Sequence, residues 1–286
     1  MKKMMQSVVL IVMILCPAIA WSGDITKGSL DKLLALSGIN KQVSDLPNLV
    51  KAGAEASRRQ DPSDMPGDVY NDLKKAIEKA FRPAETLQAV SMEIKKNLSE
   101  AEARSLLNWY ESDIGRKITK AEENASTPAA QEEMMRNVSV LISDNERVAL
   151  AEKMESLYHV TDKLMKINED SAIAVFKAFS AIQEPNQRED MNTFKTKLSE
   201  QMQENKSHVR EMVILSNVYS YKDIDIASIE KYVKFIESAA ARKFNDAAMK
   251  GMEKSLKQSS EKMAKAFAAD FKKYIEKNKK EPQTEI

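Results

Sequence analysis

A stretch that occurs twice constrains this chain more than any other feature. The first copy is Leu106-Leu107-Asn108-Trp109-Tyr110-Glu111-Ser112-Asp113-Ile114-Gly115-Arg116-Lys117-Ile118. The second is Tyr232-Val233-Lys234-Phe235-Ile236-Glu237-Ser238-Ala239-Ala240-Ala241-Arg242-Lys243-Phe244. Glu-Ser, three residues, then Arg-Lys recur at the same places, with Trp109 matching Phe235 and small Gly115 matching small Ala241. Apolar residues stand at 106, 107, 110, 114 and 118, and again at 232, 233, 236, 240 and 244. That spacing lines one face of a helix, or of two helices in near-continuation.

The match extends outward. Leu33, Leu36, Ile39 and Val43 align with Met154, Leu157, Val160 and Leu164, and Ser99 aligns with Asp225, both as helix caps. The expectation is a duplicated unit of roughly 120 residues, far longer than the repeats of a solenoid. Only 7 Gly and 8 Pro interrupt 286 residues, so the chain reads as helical throughout. The predicted architecture is all-α, two tandem related helical units forming a multi-helix bundle. The divisions are a signal peptide at 1–20, a lead-in at 21–28, units at 29–143 and 144–276, and a flexible tail at 277–286.

Lys2 and Lys3, the apolar run Ser7 to Cys16 and the small-x-small site Ala18-Ile19-Ala20 read as a cleavable export signal. Leu15 stands where lipid attachment at Cys16 wants a small residue, so a lipid anchor is set aside. Cys16 is the single cysteine, so cleavage after Ala20 leaves no thiol, which fits a bacterial periplasm without disulfides. Loss of Lys2 and Lys3 leaves 42 basic against 43 acidic residues. Such a balance creates no field for nucleic acid, and no transmembrane segment is expected after cleavage.

Local signals place the elements. Ser29 is expected to cap a helix ended by Gly38, and Asp45 with Pro47 to launch another over 46–57. Residues 58–67 read as a loop. Helices are expected over 69–81 and 84–98, and Ser99 with Glu102 forms a capping box. Residues 122–127 read as a polar break. Caps follow at Thr127-Pro128 and Ser143-Asp144. One continuous helical stripe spans 148–179, a turn covers 184–189, and a pair of helices covers 191–202 and 209–219. Asp225 caps the helix with the second signature, and helix then runs to about residue 275.

Leu33-Leu34-Ala35-Leu36-Ser37-Gly38-Ile39 with Leu46-Pro47, and Trp109-Tyr110-Glu111-Ser112-Asp113-Ile114-Gly115-Arg116-Lys117-Ile118, resemble the bacterial domain of unknown function 2059 family. The resemblance covers about Ser29 to Ser126, and the second unit more faintly. It implies an exported, all-helical protein and brings no activity or catalytic residues. The family's Pro after Ser is Asp113 here and Ala239 in the second copy, and Leu157-Tyr158-His159 stands where Leu36-Ser37-Gly38 does.

Chemical equipment is sparse. The two histidines, His159 and His208, lie outside G-x-S-x-G and H-E-x-x-H contexts, and the glycines are too scattered for a phosphate loop. Glu155/His159 and Glu204/His208 stand one helical turn apart but lack the Glu-x-x-His spacing of di-iron bundles, so they read as surface contacts. Met134-Met135 and Met249/Met252 raise copper, yet methionine at helical spacing fills cores. No catalytic, cofactor or metal residue is therefore assigned. The signature offers a candidate binding groove of Trp109, Tyr110, Arg116, Phe235 and Arg242. Glu111, Ser112, Gly115, Glu237, Ser238 and Ala241 are read as its structural frame. The function class favoured is a non-catalytic binding or scaffold protein for an envelope protein or peptide. The alternatives are a carrier of an apolar small molecule or lipid between the units, and then a metal-dependent enzyme.

Overall fold

The computed structural model describes residues 23–60 and 66–280; the expected export signal at 1–20 lies outside the described residues. The first helix, α1 (Lys27–Leu36), is capped by Thr26, whose hydroxyl accepts the Ser29 N–H at 3.2 Å. Ser29 is therefore not the cap. Its hydroxyl donates instead to Glu100 Oε1 at 2.8 Å, while the Thr26 N–H donates to Glu100 Oε2 at 2.9 Å. Those bonds, the Thr26 amide first, hold the Glu100 carboxyl down to about 2. An antiparallel bridge between Asp24 and Ser99 ties the same entry segment down.

Gly38 ends α1 with φ at +77°, a conformation open to glycine without a steric penalty. Next comes α2 (Ile39–Gln60), which runs straight through Pro47 where a new helix was expected. An interior proline removes one backbone hydrogen bond. Fully buried Val43 and partly buried Leu46 hold the helix on the near side of it, and Asp45 pairs with Lys41 at 2.6 Å instead of capping.

Then come α3 (Gly67–Ala80), α4 (Pro83–Asn97) and α5 (Glu100–Tyr110). Proline opens α4 where its missing N–H costs nothing, and the Ser99–Glu102 capping box opens α5 as expected. They are followed by α6 (Asp113–Ala125), α7 (Pro128–Arg136) and α8 (Val138–Ile142). The stripe read as continuous over 148–179 is broken into α9 (Asn145–Tyr158) and α10 (Val160–Ser180) by His159, at φ +50°. Glu155 explains the break. Its carboxylate turns back to accept the Val160 and Thr161 N–H groups at 3.1 and 3.0 Å, starting a new helix from inside the old one. After a 3₁₀ turn at Pro185–Gln187, α11 (Met191–Ser220) is one uninterrupted helix where two were expected. The last two are α12 (Ile226–Ile236) and α13 (Ala239–Lys280).

The long α13 is the spine. It packs on α3, α4 and α10, while α6 packs on α11, so helices from either side of residues 143/144 interleave in one multi-helix bundle. Small side chains let the spine come close. A Cβ on Gly251 would stand 2.5 Å from the Val90 Cα, so α13 and α4 touch backbone to backbone. One turn on, the buried Ser255 hydroxyl bonds Thr86 at 2.8 Å, and Ser260 bonds Ser171 at 3.0 Å. Two main cores result. One gathers Leu33, Val90, Ile94, Leu106 and Phe244, the other Ile118, Met154, Val218, Ile229 and Ile236, and Phe235 packs against both. Among the described residues no helix is long and apolar enough to cross a membrane.

Candidate functional site

The two signature stretches build two sharp corners, α5 to α6 and α12 to α13. Ser112 caps α6 by accepting the Gly115 N–H at 3.0 Å, and Ser238 caps the start of α13 by accepting the Ala241 N–H at 3.2 Å. Glu111 pairs with Lys32, and Glu237 with Lys153 at 2.7 Å. The corners are not identical. A Cβ on Gly115 would meet the Trp109 carbonyl oxygen at 2.0 Å, whereas the matching Ala241 keeps its Cβ in a buried position. The first turn is thus the tighter one.

Both corners meet at one aromatic stack. Trp109 lies on Phe235 with ring centroids 4.5 Å apart, and Tyr232 stacks on Trp109 at 6.0 Å. Tyr110 presents its edge to Phe235 at 5.6 Å and to Phe244 at 6.2 Å. Three of the five candidate groove residues therefore come together. The other two sit outside this stack: Arg116 is exposed and pairs with Asp113 at 2.9 Å, and Arg242 is exposed. The basic residues that follow them reach across instead. Lys117 lies 3.8 Å from Asp225, the cap of α12, and Lys243 lies 2.7 Å from Glu102, in the cap of α5.

Beside the stack lies a cavity of about 730 Å³ whose wall draws on α1, α2, α4 to α7 and α9 to α13. Tyr110, Tyr158, Tyr221 and Tyr232 line it, together with six methionines, among them Met154, Met212 and Met252. Methionine gives such a wall adaptable shape and polarisable surface. Among the described residues Glu122 is the one charged side chain lining it, with no Lys, Arg or His beside it. Its Oε1 accepts two hydroxyls, from Tyr221 at 2.6 Å and Tyr232 at 2.9 Å. Oε2 accepts no hydrogen bond from a described residue. Burial pushes the Glu122 carboxyl above the ordinary range, and the two hydroxyl bonds only partly oppose this. Tyr110, Tyr158, Tyr221 and Tyr232 are likewise pushed up by burial and stay neutral donors.

Glu122 was read as part of a polar break, but α6 continues through it to Ala125. One signal pointed to it. The stripe Tyr110, Ile114 and Ile118 repeats every four residues, and the next step is Glu122. What separates a buried from a solvated glutamate there is the packing of α6 on α11, which the spacing alone does not reveal. Ser37, at the end of α1, is the second polar group of interest. It is 8% exposed, lines the same cavity, and its hydroxyl has no hydrogen-bond partner.

The His and Glu pairs do not converge. Both Glu155 oxygens are committed to the start of α10, His159 is exposed, and Glu204 and His208 are exposed on α11. Among the described residues no group of three or more acids and histidines is placed to hold a metal ion.

No curated protein and no solved structure matches the chain. Residues 91–139, from the end of α4 into α8 and so including the first corner and Glu122, are similar to a family described as an uncharacterized protein conserved in bacteria, DUF2059.

Proposed function

We propose that this protein is a non-catalytic carrier that holds one apolar small molecule in the cavity between its two signature corners. The cavity itself carries the reading: it falls within the roughly 300–1,000 Å³ range of single-ligand sites, it is lined mainly by apolar and aromatic groups, and a few polar groups converge on it. In the same proposal the two halves descend from one duplicated unit. Gly38 and His159, the two left-handed residues among those described, stand at matched positions. So do the paired ions Lys32–Glu111 and Lys153–Glu237. Matched Trp109 and Phe235 stack on each other, as equivalent residues do at a twofold axis. Export completes the proposal, resting on the leader composition alone.

Native mass spectrometry of protein purified without detergent tests the carrier role, together with titration by the fluorescent apolar probe N-phenyl-1-naphthylamine. A bound small molecule, or probe binding that Ala248→Phe weakens by about tenfold or more, is expected, since Ala248 lines the cavity. Protein that arrives empty and ignores the probe overturns the reading. N-terminal sequencing of the mature chain tests export, with Trp21 as the expected first residue and an intact leader as the contrary result.

A second reading has its own observation. Met135, Val140 and Ile142, on neighbouring α7 and α8, are 54%, 70% and 56% exposed. Apolar side chains so placed suit an envelope protein or peptide partner. A pulldown from periplasmic extract at low salt would recover one, and repeated recovery of none would exclude it.

A further inference from the structure

The cavity contains an electrostatic mismatch that says what kind of molecule completes it. Glu122 is a half-buried carboxylate, and among the described residues no cationic side chain lines the same cavity. A charge drawn away from water without a partner is unfavourable. The protein meets half of the group's needs: Tyr221 and Tyr232 both donate to Oε1 and fix the carboxylate's orientation. Oε2 accepts no hydrogen bond from a described residue. Glu122 therefore gives the cavity an acceptor carboxylate that, among the described residues lining it, meets no positive charge.

The remainder of the wall is mixed, with Gln42, Gln131, Asn217 and Asn245 among its neutral polar side chains. Tyr110, Tyr158, Tyr232 and Phe244 supply aromatic surface, and the methionines supply apolar surface. Aromatic faces attract cations and favour ammonium over carboxylate. A ligand carrying an acid group would set two carboxylates together with nothing to neutralise them.

Resting on the carrier reading, we propose that the ligand is a single-chain lipophilic primary amine, whose ammonium group pairs with the Glu122 carboxylate while its apolar body lies along the methionine and aromatic wall. The size of the cavity restricts this to a free small amphiphile: a two-chain amine-headed lipid exceeds a space suited to one drug-sized molecule.

The experiment is a calorimetric titration of the full mature chain near pH 7.5 with decylamine, decanol and sodium decanoate, each below its aggregation threshold. Vesicles of phosphatidylethanolamine form a fourth arm. Decylamine is expected to bind about tenfold or more tighter than decanol, with decanoate weakest and vesicles inert. Glu122→Gln keeps an oxygen that can accept from both tyrosines, and it should bring decylamine down to the affinity of decanol. Equal binding of decylamine and decanol by the unaltered chain, a preference for decanoate, tighter capture of the vesicles, or an amine preference that survives Glu122→Gln each overturns the amine assignment and leaves the carrier reading standing. Failure of all three decyl compounds overturns both. The ligand comparison on the unaltered chain decides the matter even where a variant does not fold.

Discussion

Trp109 and Phe235, the same position in the two copies of the signature, lie face to face with their rings 8° from parallel. Neither corner can move without disturbing the other. Replacing Trp109 or Phe235 with Ala should each destabilise the chain by about 2–4 kcal/mol, and the double replacement should cost about 1 kcal/mol less than the two singles together. Urea denaturation of the four proteins measures this directly. Strict additivity would show that the stack is incidental to the joint.

Two glycines on helices should respond in opposite directions. Gly251→Ala drives a Cβ into the Val90 backbone at 2.5 Å and should cost about 1–3 kcal/mol. Gly53→Ala, exposed within α2 with nothing within 4 Å, should gain about 0.5–1 kcal/mol from helix propensity alone. Thermal melts of both variants suffice, and a neutral Gly251→Ala would mean that α13 slides freely over α4.

Much of this molecule was legible before its structure, and the failures share one cause. The caps at Ser99, Asp225 and Thr127 work by contacts within a turn, so local sequence announces them. Pro47 misled because its effect depends on what surrounds the helix, and buried Val43 decides there. His159 misled because the device that stops the helix is Glu155, whose carboxylate serves the next helix and not solvent. Trp109, Tyr110 and Phe235 of the candidate groove meet in one stack, while Arg116 and Arg242 stay exposed outside it. Glu122 continues the stripe of Tyr110, Ile114 and Ile118, yet a glutamate on a helix face is solvated unless a distant helix covers it, and here α11 packs on α6.

Glu155 lends itself to a graded test. Glu155→Ala strips acceptors from two N–H groups at a buried position and should cost about 2–3 kcal/mol; Glu155→Gln, which retains one acceptor oxygen, should cost roughly half. Chemical denaturation reads both values. Equal losses would show that the negative charge, and not the bonds, matters at the start of α10.

Two glutamates should pull the pH profile in opposite directions. Glu100 has its folded value depressed to about 2, so its contribution is present above the unfolded value of 4.5 and is lost as pH falls toward 2. Glu100→Gln should therefore lower the melting temperature at neutral pH and make no difference near pH 2. Glu122 has its folded value raised, so its ionised form carries a penalty above that value which fades as pH falls through it toward 4.5. Glu122→Gln should raise the melting temperature by about 2 °C or more near pH 8, with the gain shrinking by about pH 4.5. A gain that persists unchanged at low pH would point to packing in place of charge.

The position matched to Glu122 in the second half is Ala248, and both line the cavity. Two identical subunits meeting at such a joint would carry the acid at both positions. A single continuous chain carries the acid at Glu122 and only a methyl group at Ala248. The chamber thereby has one acidic side, and under the carrier proposal an amphiphile inside it has one way round.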